Sequence, residues 1–134
     1  MYICKHFKIH ELVPPKVFEE RGERAWELLD SRALEILDTL REKYGPMTIN
    51  NYKWGGNRQW SGLRTPDSSY FRPYSQHVFG RAFDCLFAET TAEKVRQDIL
   101  DHDFGLEGIN SIELGTSWLH FDVRNCKPIK TYKP

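Results

Sequence analysis

Three cysteines, Cys4, Cys85 and Cys126, are all that a chain of 134 residues contains. An odd and widely spaced set builds neither a disulfide framework nor a CxxC metal knuckle, so sulfur does not organise this protein. Cys85 follows Asp84 inside an apolar run and reads as a buried free thiol. Net charge is lacking too, because 19 Lys and Arg balance 19 Asp and Glu. Without a basic footprint a nucleic-acid partner is not expected. No apolar run approaches the roughly 20 residues of a membrane span, so no membrane role is expected either. Residues 1–10, with Lys5, His6, Lys8 and His10, lack the apolar core of a signal peptide. The expectation is a protein made and kept in the cytoplasm. Internal repeats and low-complexity segments are absent as well.

What remains is an ordinary globular composition, 40% apolar and 28% charged, in a chain long enough for one core and one domain. Pro14-Pro15 opens a short helix through Arg21. A second helix follows: Trp26, Leu29, Ala33, Leu37, Leu40 and Tyr44 recur at helical spacing, and Gly45-Pro46 stops it, the glycine as a left-handed cap. Residues 47–52 read as a strand. From 53 to 76 the chain is turn-rich, with Gly55-Gly56, Gly62, Pro66 and Pro73; structureless stretches of that length are usually functional. Residues 81–87 form a strand, and Thr90-Thr91-Ala92-Glu93 is a capping-box pattern that opens a helix to about Asp101. Strands over 109–114 and 118–124 pair as a hairpin around Gly115-Thr116. The plan is α+β: N-terminal helices (1–46) packed on a small, mainly antiparallel sheet (47–124).

The chemistry sits in that sheet. His77 and Asp84 share the block Ser75-Gln76-His77-Val78-Phe79-Gly80-Arg81-Ala82-Phe83-Asp84, and His120 returns in Trp118-Leu119-His120-Phe121-Asp122. Two imidazoles and one carboxylate make a three-ligand zinc set with the fourth position open, the pattern of a site that activates water rather than of a closed structural site. Strand alternation sends Leu119, Phe121 and Val123 inward and puts His120 and Asp122 on the other face. The same rule on the partner strand puts Glu113 on His120's face, opposite or diagonal to it. His6, His10 and His102 lack such context and read as surface or local capping groups.

At these residues the chain resembles the zinc D-alanyl-D-alanine carboxypeptidase family, peptidoglycan peptidases that include phage enzymes and share a fold with the hedgehog signalling domain. Ser75, His77, Gly80, Ala82 and Asp84 match its Ser-x-His-x-x-Gly-x-Ala-x-Asp hallmark, and Trp118-Leu119-His120 matches its late strand, within a resemblance covering about 47–124. The resemblance implies a single zinc peptidase domain with His77, Asp84 and His120 as zinc ligands. The implied substrate is a peptidoglycan stem or cross-link peptide, cut by a D,D-carboxypeptidase or an L-alanyl-D-glutamate endopeptidase. A monomer, released to the wall by a phage lysis system or carried in a virion, is the matching setting. The family's upstream arginine, often in Ser-Gly-Tyr-Arg, corresponds to Arg64 in Ser61-Gly62-Leu63-Arg64, with Arg72 as rival; a guanidinium there stabilises the growing oxyanion.

The sequence departs from the family three residues before the last ligand. Many members have a catalytic acid there; this chain has Ser117. Glu113 is the first substitute as general base, and Asp122, about 7 Å along the strand from His120, is the second. Asp122 has a competing role, accepting the outer N–H of a ligand histidine. Trp54, Trp60, Tyr70, Phe71 and Tyr74, in or beside the long loop, either wall a substrate groove or form the loop's own core.

Overall fold

A computed structural model describes residues 1–102 and 106–134. Three α-helices and a five-stranded mixed sheet make up an α+β fold. The helices are α1 (Pro15–Arg21), α2 (Ser31–Tyr44) and α3 (Ala92–Leu100), and the strands are β1 (Met47–Thr48), β2 (Ala82–Phe87), β3 (Ser111–Glu113), β4 (Leu119–Asp122) and β5 (Lys130–Tyr132). The spatial order is β1-β2-β4-β3-β5, with every neighbouring pair antiparallel except β3 and β5. No helix among the described residues is long and apolar enough to cross a membrane.

Pro15 at the first position of α1 needs no N–H partner, as the sequence implies. The continuous helix expected from Trp26 is broken. Gly22–Leu28 is 3₁₀, Leu29 is extended, and the Asp30 carboxylate caps α2 by accepting the backbone N–H of Arg32 at 2.8 Å. Trp26 and Leu29 are buried all the same, so the periodicity reports the core correctly and the helix boundary wrongly. The break matters for the site, because Asp30 N–H donates to the carbonyl of Gly80 in the turn below His77. At the other end Gly45 has φ +83 and ψ −158, a glycine-favouring conformation but not the left-handed cap.

The strand expected over 47–52 stops at Thr48. Asparagine side chains divert it: Asn50 Nδ2 donates to Val13 O, and Asn51 Oδ1 accepts the N–H of Arg58. Asn50 Oδ1 in turn takes the N–H of Ser61, whose carbonyl accepts Asp84 N–H at 2.8 Å. The long loop therefore lies along the edge of β2 that β1 vacates. The cap of α3 falls on Thr91, which accepts Lys94 N–H, one residue later than a Thr90–Glu93 box would require; Val95 and Ile99 face inward as expected.

Phe83, Cys85, Leu119, Phe121 and Ile112 put one face of the sheet into a core shared with Leu34, Leu37 and Leu40 of α2 and with α3. Each fully buried side chain of this kind contributes roughly 1.5–3 kcal/mol. That burial locks the register, because a one-residue slip would turn every side chain of a strand over. What the register fixes on the opposite face is the site.

Candidate metal centre

Asp84 lies opposite His120 in the β2–β4 ladder. In the β3–β4 ladder Ser111 pairs with Asp122 and Ile112 with Phe121, so the next step sets Glu113 opposite His120. Glu113 in turn pairs with Tyr132 of β5. Paired residues share a face, so Asp84, His120, Glu113 and Tyr132 form one row across four strands, pointing away from the core. The expected hairpin places Glu113 correctly. Nothing in the sequence pattern points to β5, and with that strand goes Tyr132, whose ring meets His120 edge-on with centroids 5.8 Å apart. A three-residue strand beyond Pro128 offers too short a pattern to read, and only the aromatic itself is a signal.

His77 reaches the row from a 3₁₀ turn, Gln76–Phe79, capped by Ser75 Oγ accepting His77 N–H. Gly80 ends the turn at φ +68, and a Cβ there would stand 2.2 Å from the carbonyl oxygen of Leu28. Gly62 is equally confined, since a Cβ would lie 2.2 Å from Leu12 O. Its carbonyl accepts the Nδ1–H of His77 at 2.8 Å. Because a carbonyl can only accept, His77 Nε2 is left with its lone pair, 3.3 Å from Asp84 Oδ1.

His120 is oriented from its other side. Its Nε2 donates to Asp122 Oδ2 at 2.9 Å, leaving Nδ1 at 2.9 Å from the same Asp84 Oδ1. His77, Asp84 and His120 are all buried, and one ligand atom from each lies within 4.8 Å of the others. Donors around a tetrahedral ion with bonds of about 2.0–2.1 Å stand about 3.3 Å apart. The donor set thus fits a metal ion, and each imidazole has the outer hydrogen bond that fixes a ligand histidine. A buried His77–Asp84–His120 group able to hold a metal ion is what the fold builds. His6 pairs with Glu42, and His10 packs against Phe18 and Trp54; neither joins the group.

Without a metal the cluster carries charge. Burial works against ionised Asp84, but the two imidazoles outweigh it and hold its carboxyl far below the usual carboxylate range. Burial, the largest influence on His77, lowers its pKa, so this ring is neutral at neutral pH. On His120 burial acts in the same sense, but the hydrogen bonds with Asp122 and Asp84 prevail and raise it to about 9.

Asp122 is fully buried and is consumed by Arg124, whose Nε and Nη2 donate to its two oxygens at 2.8 and 2.6 Å. It sits at the Nε2 end of His120, so the imidazole ring stands between it and the ligand atoms. Glu113 is half-buried; its carboxylate makes no side-chain hydrogen bond among the described residues and lies within electrostatic reach of Arg64 and Tyr132. Arg64 enters the site from the loop: Nη2 donates to Asp84 Oδ2 at 3.0 Å and Nε to Trp60 O at 2.7 Å. Leu63, where the family motif has tyrosine, is buried against the core, while Arg72 is exposed and donates to Phe71 O.

A cleft of about 330 Å³ opens beside Asp84, with Trp60, Tyr70 and Trp118 among its walls. The loop aromatics divide: Trp60 and Tyr70 border this cleft, whereas Trp54 and Tyr74 are exposed away from its lining. None of the five belongs to the buried core. No protein-family model, curated protein or solved structure matches this chain.

Proposed function

We propose that this chain is a zinc-dependent peptidase that hydrolyses peptidoglycan stem or cross-link peptides, in the setting of phage-related wall lysis. The observation that carries this reading is the open three-ligand group: His77 Nε2, Asp84 and His120 Nδ1 converge, no fourth ligand completes the group among the described residues, and a cleft adjoins it. Two nitrogens and one oxygen suit zinc. The five matched positions of the Ser75–Asp84 block supply the substrate class.

Zinc, when bound, supplies Lewis acidity that makes a water acidic and a carbonyl electrophilic. The protein's part follows from where its groups stand. Glu113, beside His120 and with its carboxylate in no side-chain hydrogen bond among the described residues, takes a proton from the attacking water as the new C–O bond forms. It delivers that proton to the leaving amine as the C–N bond breaks. Arg64, anchored through Nε and Nη2, turns its remaining donors toward the carbonyl oxygen, where negative charge grows. Asp122 holds His120 in the tautomer that frees Nδ1, and Gly62 does the same for His77 Nε2. Turnover of purified peptidoglycan, followed by mass spectrometry of the fragments, tests the reading: the wild type releases fragments, and His77→Ala releases none. An inactive wild type that binds zinc would overturn it.

Zinc uptake carries a pH signature. A ligand histidine must be neutral, and in the metal-free protein His120 holds its proton up to about pH 9. Binding at pH 7.5 is therefore expected to release at least one proton, that of His120, and the affinity rises about tenfold per pH unit below about pH 9. Calorimetric titrations in buffers of different ionisation enthalpy measure the release. No released proton would mean that the two carboxylates do not hold His120 charged.

One observation favours a second reading, a zinc-binding module without hydrolytic activity: Ser117 occupies the position of the family's usual acid. The proposed base then rests on Glu113 alone.

A further inference from the structure

Arg58 stands in the wall of the cleft as a cation with no acid attached. Its position is set before any ligand arrives: its N–H donates to Asn51 Oδ1 at 2.9 Å, its carbonyl accepts Asn51 N–H at 3.0 Å, and its Nε donates to Ile49 O at 3.3 Å. These bonds leave both terminal nitrogens of the guanidinium without a hydrogen bond or ion pair among the described residues, although the side chain is half-buried and lines the cleft. Arg64 is different, because it already holds Asp84. Asp84 is the acid in the cleft lining, and it is shared among Arg64, His77 and His120. An ion bound at the centre would add still more positive charge.

The terminal nitrogens of Arg58 keep access to solvent in the cleft and are free to meet an anion there. Carboxylate is the anion that matches, since a planar pair of N–H donors meets its two oxygens in register. Trp60 and Trp118, both half-buried in the cleft wall, reduce the water around one side of such a pair and so strengthen it. The cleft volume is near the lower end for small-molecule sites, enough for a residue or two of peptide.

We propose that Arg58 is a specificity-determining residue that binds a free carboxylate of the ligand in this cleft, so that the site selects peptides carrying a carboxylate close to the bond that is cut. The reference to a cut bond rests on the peptidase reading; the carboxylate site itself does not. The test uses zinc-loaded protein with N-acetyl-D-alanine and its neutral amide, N-acetyl-D-alaninamide, titrated by calorimetry or NMR. The wild type binds the acid about tenfold or more tightly than the amide. Arg58→Gln loses that preference while binding the amide as before, with zinc content unchanged and the fold intact by circular dichroism. Arg58→Lys, which keeps the aliphatic stem and a point charge, retains part of it. An acid-over-amide preference that survives in Arg58→Gln, or is missing from the wild type, overturns the proposal. If the preference is present and the wild type still cuts no peptidoglycan peptide, the peptidase reading falls and the carboxylate site stands.

Discussion

Glu113→Gln is expected to lower peptidoglycan hydrolysis by about 10²–10⁴-fold, the range for removal of a general base, while zinc remains bound one to one. The amide keeps the shape of the carboxylate but loses its charge and with it the ability to accept a proton. Zinc retention is expected because Glu113 is not one of the three clustered ligands. Asp122→Asn should behave in the opposite way. Its carboxylate orients His120 and is tied to Arg124, so the loss falls on metal affinity, about 10–100-fold. Turnover at saturating zinc stays close to wild type. Steady-state kinetics at several zinc concentrations separates the two. An active Glu113→Gln enzyme together with a dead Asp122→Asn one would move the base to Asp122.

The second large effect is expected at Gly80. A methyl group there would meet the Leu28 carbonyl oxygen at 2.2 Å and Leu29 Cα at 3.0 Å, on a backbone already at φ +68. Both obstacles are backbone, and Gly80 O also receives Asp30 N–H, so the turn and the α2 cap would have to part. Gly80→Ala should cost about 3–5 kcal/mol, a fall in melting temperature of roughly 10–15 °C, and should loosen zinc by displacing His77. Gly115 provides the control: it has φ +78 and open space around it, so Gly115→Ala costs only the left-handed strain of about 1–2 kcal/mol. Equal melting temperatures for the two variants would show that the turn yields and that close packing is not what fixes His77.

Gly80 also shows how far the sequence can be read. Every matched residue of the Ser75–Asp84 block does something physical in the fold. Ser75 caps the turn, Gly80 closes it against Leu28, Ala82, itself fully buried, starts β2, and His77 and Asp84 are what the turn and strand present. Such a block is legible because its constraints are local. Strand alternation is legible for the same reason, and it places Glu113, His120 and Asp122 on one face. The break at Leu29-Asp30 is harder, since Trp26 and Leu29 keep the burial of a helix without its hydrogen bonds. The early end of β1 depends on where two asparagine side chains find partners, Val13 and Arg58, and these are tertiary contacts. Tyr132 and Arg58 are invisible in the sequence because one sits on a three-residue strand that exists only by pairing with β3, and the other gains meaning from a cleft assembled by distant segments.

Metal analysis of the purified chain, wild type beside His77→Ala, Asp84→Ala and His120→Ala, tests the central claim most directly. One zinc per wild-type chain, lost in each of the three variants while His10→Ala keeps it, is the predicted result. A wild type that holds no stoichiometric metal, or a full zinc complement in any of the three, would contradict it.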